Sequence, residues 1–319
     1  MLRQQDVGHR IVVRRIVGIR GGRPLFSDAL GELVELSETH ITLATDAGPL
    51  RVPVGEVHRA KRVPPARRPT AAAVVDLELA ADEAWPAPVR GRLGDWRLRS
   101  AAGWTGRANS ALPIGDPDRP LPAALDAVQR WYADHGRPAL VNTPLPLAAP
   151  VGAELDARGW TSRPPTLVQT VPLVTLTGRP DRLATDPPPV ALTDAPADDW
   201  LAVAADRKGG LPAQARHVLT AVARVRFAEL RVDGRLLAVG RGTVTGEGRW
   251  LGVSLLEVLP EARRQGFAAA VVHALAAWGA AEGATRAFLQ VEQRNVGAVA
   301  LYRRLGFTTH HTYLTRVAP

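Results

Sequence analysis

The sequence predicts a mixed α/β protein built around a central mixed sheet and preceded by a small all-β part. Three observations carry that expectation. The stretch from residue 250 to residue 307 reads strand, turn, helix, strand, helix; a weaker copy of that order lies between residues 110 and 173; and the stretch before Val63 holds only short strands separated by turn formers. The expected division is residues 1–65, 66–180 and 181–319. At 319 residues, 46% of them apolar, the chain is long enough for that many globular parts.

In the first part, alternating runs at residues 10–15, 26–36, 40–45 and 50–54 are punctuated by Gly21-Gly22 and Asp46-Ala47-Gly48. The pattern resembles a small SH3-like barrel. Pro64, Pro65 and Pro69 end it, because proline donates no backbone hydrogen bond to a ladder. Residues 1–70 hold twelve Lys or Arg against seven Asp or Glu, more than half of the chain's net charge of +9. Two readings stay open: a solvated face on a docking or stability module, or a nucleic-acid contact.

The whole-chain pI near 11 rests almost entirely on arginine in a sequence also rich in Ala, Pro and Gly, so charge alone points weakly to a partner. Absence of cysteine excludes disulfides, thiolate metal sites and a Cys nucleophile, and no metal site is expected. Residues 1–15 are polar and charged, and no run approaches the ~18 apolar residues that cross a bilayer. A soluble cytoplasmic protein is the simplest expectation.

The middle and end of the chain are internally related. Residues 110–117 precede the helical pattern at 124–132 as residues 254–260 precede that at 271–278, and Leu155 to Trp160 mirrors Tyr302 to Phe307. The copies differ at the turn, where Asp118-Arg119-Pro120-Leu121-Pro122 replaces Arg263-Arg264-Gln265-Gly266 and its prolines remove two backbone donors. Residues 103–110 are dense in hydrogen-bonding groups and read equally as a site or as a bulged turn.

The later copy carries the chemistry. A buried strand at 250–258 leads into Pro260-Glu261-Ala262-Arg263-Arg264-Gln265-Gly266-Phe267-Ala268, after which Phe267, Ala270, Val271, Ala274, Leu275 and Trp278 recur at helical spacing. Arginines at the positive end of a helix call for an anion between them, and a pyrophosphate fits. A strand at 286–292 follows; Asn295 then opens a helix with Ala298, Leu301, Tyr302 and Leu305 on one side, stopped by Gly306-Phe307. In Arg263-x-x-Gly266-x-Ala268 and in residues 295–307, the chain resembles the GNAT superfamily of acetyl-CoA-dependent N-acetyltransferases. The resemblance covers residues 190–319 and makes the middle part a degenerate GNAT-like lobe.

That resemblance implies acetyl-CoA as co-substrate and a primary amine as acceptor. Arg263, Arg264, Gln265, Gly266, Phe267 and Ala268 would hold the pyrophosphate, while Leu256, Glu257 and Val258 would run beside the pantetheine, with the Val258 N–H as oxyanion donor. Tyr302 would protonate the leaving thiolate. Asn295 would lie near the cofactor, although helix capping accounts for it equally. Where several members carry a glutamate this chain has Gln290, so the base is Glu257, Glu292 or a relayed water, with Glu257 preferred. Acceptor-binding candidates are Arg207, Lys208, His310 and Tyr313. The arrangement resembles a high-GC bacterial branch assigned as N-acetylglutamate synthase. Alternatives are acetylation of protein amines, or a binding protein that senses acetyl-CoA and recruits a partner through its basic barrel.

Overall fold

In the computed structural model, which describes residues 2–45, 48–63, 69–178, 188–206 and 212–319, the chain forms two compact units, Met1–Arg68 and Pro69–Pro319. The first is one antiparallel sheet of β1 (Arg10–Arg20), β2 (Arg23–Leu36), β3 (His40–Thr45), β4 (Gly48–Pro53) and β5 (Val57–Arg62), in the order β4-β3-β2-β1-β5. Ile11, Val13, Leu33, Ile41, Leu43 and Val52 form its buried cluster, as period-two alternation requires. β5 has no counterpart in the sequence reading: Val-His-Arg-Ala-Lys-Arg carries little apolar signal, and backbone pairing to β1 holds it.

The second unit opens with α1 (Ala71–Ala84), capped by the Thr70 hydroxyl, which accepts from the Ala73 N–H at 3.2 Å. Then come the hairpin β6 (Val89–Leu93) and β7 (Trp96–Ser100), α2 (Leu121–Asp134), β8 (Leu140–Leu145), α3 (Ala149–Ala157), β9 (Thr161–Ser162), β10 (Thr166–Pro172) and α4 (Leu173–Thr177). The later elements are β11 (Val190–Thr193), α5 (Asp198–Asp206), α6 (Ala213–Thr220), β12 (Val225–Val232), β13 (Arg235–Thr245), β14 (Trp250–Val258), α7 (Phe267–Ala281), β15 (Arg286–Glu292), α8 (Val296–Arg304) and β16 (Thr308–Val317). The order α2-β8-α3-β10 returns as α7-β15-α8-β16. Both α3 and α8 are followed by a left-handed glycine and then a buried aromatic, Gly159-Trp160 and Gly306-Phe307.

Among the described residues nine strands share one sheet, ordered β11-β12-β13-β14-β15-β10-β16-β8, with β9 on β16. β10, from the first half of the unit, is inserted between β15 and β16, and β16 pairs in turn with β8. Each half thus lends a strand to the other. The expected lobes 66–180 and 181–319 are joined by continuous backbone ladders, and the boundary between them falls outside the described residues.

The two faces of this sheet are covered differently. α7 lies on one face, where Gly240 and Gly242 of β13 let it close in: a Cβ at those positions would stand 2.5 Å from Val271 and 2.8 Å from Leu275. Burying Phe267, Val271, Val272 and Leu275 there stabilises the fold by about 1.5–3 kcal/mol per side chain. The other face carries α1, α5 and α6. Trp200 of α5 is fully buried against Phe227 at 5.1 Å between ring centroids, its indole N–H donating to the Ala228 carbonyl at 3.0 Å.

Candidate functional site

β14 and β15 run parallel, but their ladder is three pairs long, Trp250, Leu251 and Gly252 against Arg286, Ala287 and Phe288. Beyond it residues 253–258 and 289–292 continue as strands, held on their outer sides by β13 and β10, without pairing to each other. Strands that begin paired and then part leave a slot walled by the unpaired edge of β14. A bulge shapes that wall. The register against β13 shifts between Val239↔Glu257 and Arg241↔Ser254, and Leu255 takes φ 52°. Such a non-glycine residue costs about 1–3 kcal/mol, and packing against the Trp85 and Trp200 cluster holds it.

The slot ends at the turn into α7. Arg264 (φ 68°) and Gly266 (φ 84°) are both left-handed, and because Gly266 is the N-cap residue no side chain caps the helix. The first turn carries no acid either. The first helical bond runs from the Ala270 N–H to the Gly266 carbonyl, so the amides before it sit at the positive end of the dipole without intrahelical partners. Arg263, Arg264 and Gln265 are exposed around them, Ala268 is half-buried, and Phe267 anchors the turn in the core. Arg263 Nε donates to the Val258 carbonyl at 3.3 Å, tying the turn to the end of β14.

Leu256 and Val258 pack into the α7-side core, in the cluster that also holds Phe267 and Tyr302. Tyr302 of α8 is 9% exposed, its ring edge-on to Phe307 at 5.8 Å. Tyr302 is thereby brought into one core with Leu256, Val258 and Phe267, which lie 35 or more positions earlier in the chain. Glu257 alternates to the other face, half-buried opposite Val239 of the α5–α6 cluster. Glu292 sits at the rim, its side chain 51% exposed and bound to Arg294 at 2.6 Å. Asn295 caps α8, its Oδ1 accepting from the Ala298 N–H at 3.2 Å. The Tyr313 hydroxyl donates to Gln290 Oε1 at 3.3 Å, while Arg207 and Lys208 lie outside the described residues.

Sequence reasoning missed a buried pair. His311 Nε2 lies 2.8 Å from Glu78 Oε1 of α1, both side chains nearly inaccessible, and His311 Nδ1 lies 2.9 Å from that of His310. A separation of 233 residues leaves no local signal for such a contact. Burial first, then the nearby charges of His311 and Arg286, pushes His310 down to about 4, so it is neutral at pH 7. The folded-state value is below the ordinary 6.5, so the unfolded chain binds the proton more tightly and His310 costs stability as the pH falls from 6.5 towards 4. We expect His310→Asn to lose less stability than wild type between pH 7.5 and 5.0, read from urea midpoints at both values. Equal losses would refute that assignment.

Among the described residues no group of three or more His, Cys, Asp or Glu is placed to hold a metal ion, and no helix is long and apolar enough to cross a membrane. A family model described as "Probable histone acetyltransferase Rv0428c C-terminal" matches residues 71–315. A Mycobacterium tuberculosis protein named "Probable histone acetyltransferase Rv0428c" is 32% identical over 321 residues, covering 98% of this chain and 95% of its own. Among solved structures, a GCN5-related N-acetyltransferase from Kribbella flavida matches with TM-score 0.59 and 18% identity, over 80% of this chain and 97% of its own. A tandem GNAT protein from the clavulanic acid biosynthesis pathway matches with TM-score 0.51 and 18% identity, over 79% and 90%. These two similarities are of fold.

Proposed function

The chain belongs to the Rv0428c-like family of GNAT-type N-acetyltransferases, which draw the acetyl group from acetyl-CoA, and from that premise we propose how its residues divide the work. The observation that carries the assignment is the slot between β14 and β15 ending at an uncapped, acid-free helix N-terminus. An unpaired strand edge offers hydrogen bonds to an amide-bearing arm, and the amides of residues 264–268 with Arg263 and Arg264 suit a pyrophosphate. Leu256 and Val258 line the strand at that point; the Val258 N–H is the donor for charge developing on the acetyl oxygen. Tyr302 supplies a proton to the departing thiolate, and Glu257, on the face opposite α7, takes one from the amine directly or through water. Glu292, held by Arg294 at the rim, is the lesser candidate for that base. Asn295 orders the start of α8. Attack is direct, in a ternary complex, since the chain has no cysteine to carry the acetyl group.

The acceptor is a primary amine, and a small amino acid, L-glutamate first, is our preferred reading. A protein amine is the second reading, favoured by the name of the M. tuberculosis relative. We further assign residues 1–65 to an SH3-like module, on the strand order β4-β3-β2-β1-β5 with a 3-10 turn, Val54–Glu56, between β4 and β5. Residues 66–180 then form a degenerate lobe that walls the acceptor side. The test is release of free CoA thiol with L-glutamate, other amino acids, polyamines and a basic peptide as acceptors. Turnover with amino acids but not peptide supports the preferred reading, and the reverse supports the second. Binding of acetyl-CoA without turnover of any acceptor defeats both and leaves a sensing role.

A further inference from the structure

The loop from Ala101 to Ser110 joins the β6–β7 hairpin to the rest of the unit, and its backbone is unusual. Ala102 (φ 50°), Gly103 (φ 84°) and Thr105 (φ 61°) are all left-handed. Asn109 pays for that strain with all its hydrogen-bonding capacity: Oδ1 accepts from the Ala101 and Gly103 N–H groups at 2.8 and 2.9 Å, and Nδ2 donates to the Trp104 and Thr105 carbonyls, each at 2.8 Å. The loop is thereby locked in a strained shape, with Ala101, Trp104 and Ala108 buried in the core.

It packs guanidinium groups that, among the described residues, have no ion-pair partner against two buried aromatic rings. Trp104 stacks on Trp85 at 5.4 Å, and the Trp85 indole N–H donates to the Thr105 hydroxyl at 3.0 Å. Two guanidinium groups lie against the same Trp85 ring, Arg107 at 5.5 Å and Arg241 at 5.3 Å. Arg241 is fully buried, donating to the carbonyls of Leu219, Ala84 and Val218, and its Nη1 reaches Ser254 Oγ at 3.5 Å. Ser254 lies on β14 just past its last pair with β15, which places this cluster behind the wall of the acetyl-donor slot. Arg137 and Arg163 close in from outside, their Nη1 atoms 2.6 and 3.0 Å from where Cβ atoms on Gly103 and Gly106 would stand.

Among the described residues none of these four arginines is ion-paired, and Arg107 Nε is buried without a hydrogen-bond partner. The neighbouring acid, Asp82, is already taken by Arg99 at 3.1 Å and Arg90 at 3.4 Å. Like charges crowded beside an aromatic stack are mutually repulsive until an anion joins them. We propose that Arg107, on the loop of residues 102–107 against Trp85, is the subsite for a carboxylate of the acceptor. This rests on the acetyltransferase reading and deepens it: the acceptor is a small amine bearing a carboxylate. A lysine-rich tail meets a field of its own sign here.

The test uses the full chain and a matched series: L-glutamate, its α-amide, its γ-amide and the diamide. Wild type is expected to prefer the carboxylates, and Arg107→Gln to lower the kcat/KM ratio of glutamate over the diamide at least tenfold. Arg107→Lys should recover part of that ratio, and acetyl-CoA affinity should confirm that each variant is folded. A ratio unchanged in Arg107→Gln overturns the proposal. Independently, glutarate should raise the melting temperature of wild type and not of Arg107→Gln. No glutarate effect, one that survives the substitution, or an equal effect of inorganic phosphate overturns the carboxylate site. If no amine in the series is acetylated, the preferred acceptor falls, while the glutarate shift still decides whether the site exists.

Discussion

Replacing Tyr302 by phenylalanine is expected to lower kcat by about 10²–10³, within the range that a positioned general acid contributes, while the KM for acetyl-CoA changes little. A thiolate leaves far more readily when it is protonated as it departs, and a phenol with a reference pKa near ~10 is in its acid form at neutral pH. The variant keeps the ring that packs edge-on to Phe307, so the core around α8 and the end of β14 stays filled. That makes a large loss of rate with retained melting temperature specific to the hydroxyl. Single-turnover kinetics at saturating acetyl-CoA would separate the chemical step from binding. A decrease below threefold would remove Tyr302 from the proposed role and leave it a core aromatic.

The second large effect is expected at the turn. Gly266→Val should raise the KM for acetyl-CoA by at least thirtyfold and lower the melting temperature, because a β-branched residue at φ 84° is a steric outlier that would rotate the amides at the start of α7. Gly266→Ala should fall between, since its strain is smaller. Arg264, two residues before, is itself left-handed, so the turn already holds one strained residue and has little tolerance for another. Isothermal titration with CoA reads the effect without relying on turnover. Unchanged CoA affinity in Gly266→Val would place the pyrophosphate elsewhere.

Legibility in the sequence varied by element for physical reasons. β14 was readable to its ends because it is an apolar run broken only by Ser254 and Glu257, and α7 because its core-facing residues recur with helical period. The turn was readable because Gly266 separates the end of the apolar strand from the helical period that begins at Phe267. β5 left no trace, its backbone rather than its side chains holding it in place. Arg241 stood in plain view within Val-Gly-Arg-Gly-Thr, a lone cation in an apolar strand, yet its carbonyl partners come from α1 and α6. The loop of residues 101–110 was recognisable only as dense in polar groups; its left-handed backbone and the Asn109 lock are tertiary facts.

By itself the sequence determined the order of strands and helices from residue 250 onward, the arginine- and glycine-bearing turn before α7, the place of Tyr302 on α8 and the internal repeat, because each is written in spacing over a few residues. Only the tertiary structure decided that β10 enters between β15 and β16, that Glu78 meets His311, and that Arg107 and Arg241 share Trp85. Apart from Arg107 on Trp85, those contacts join residues from 114 to 233 positions apart, and no periodic pattern reports them. Their energies come from burial, ladder pairing and charge, which exist only once the chain has closed on itself.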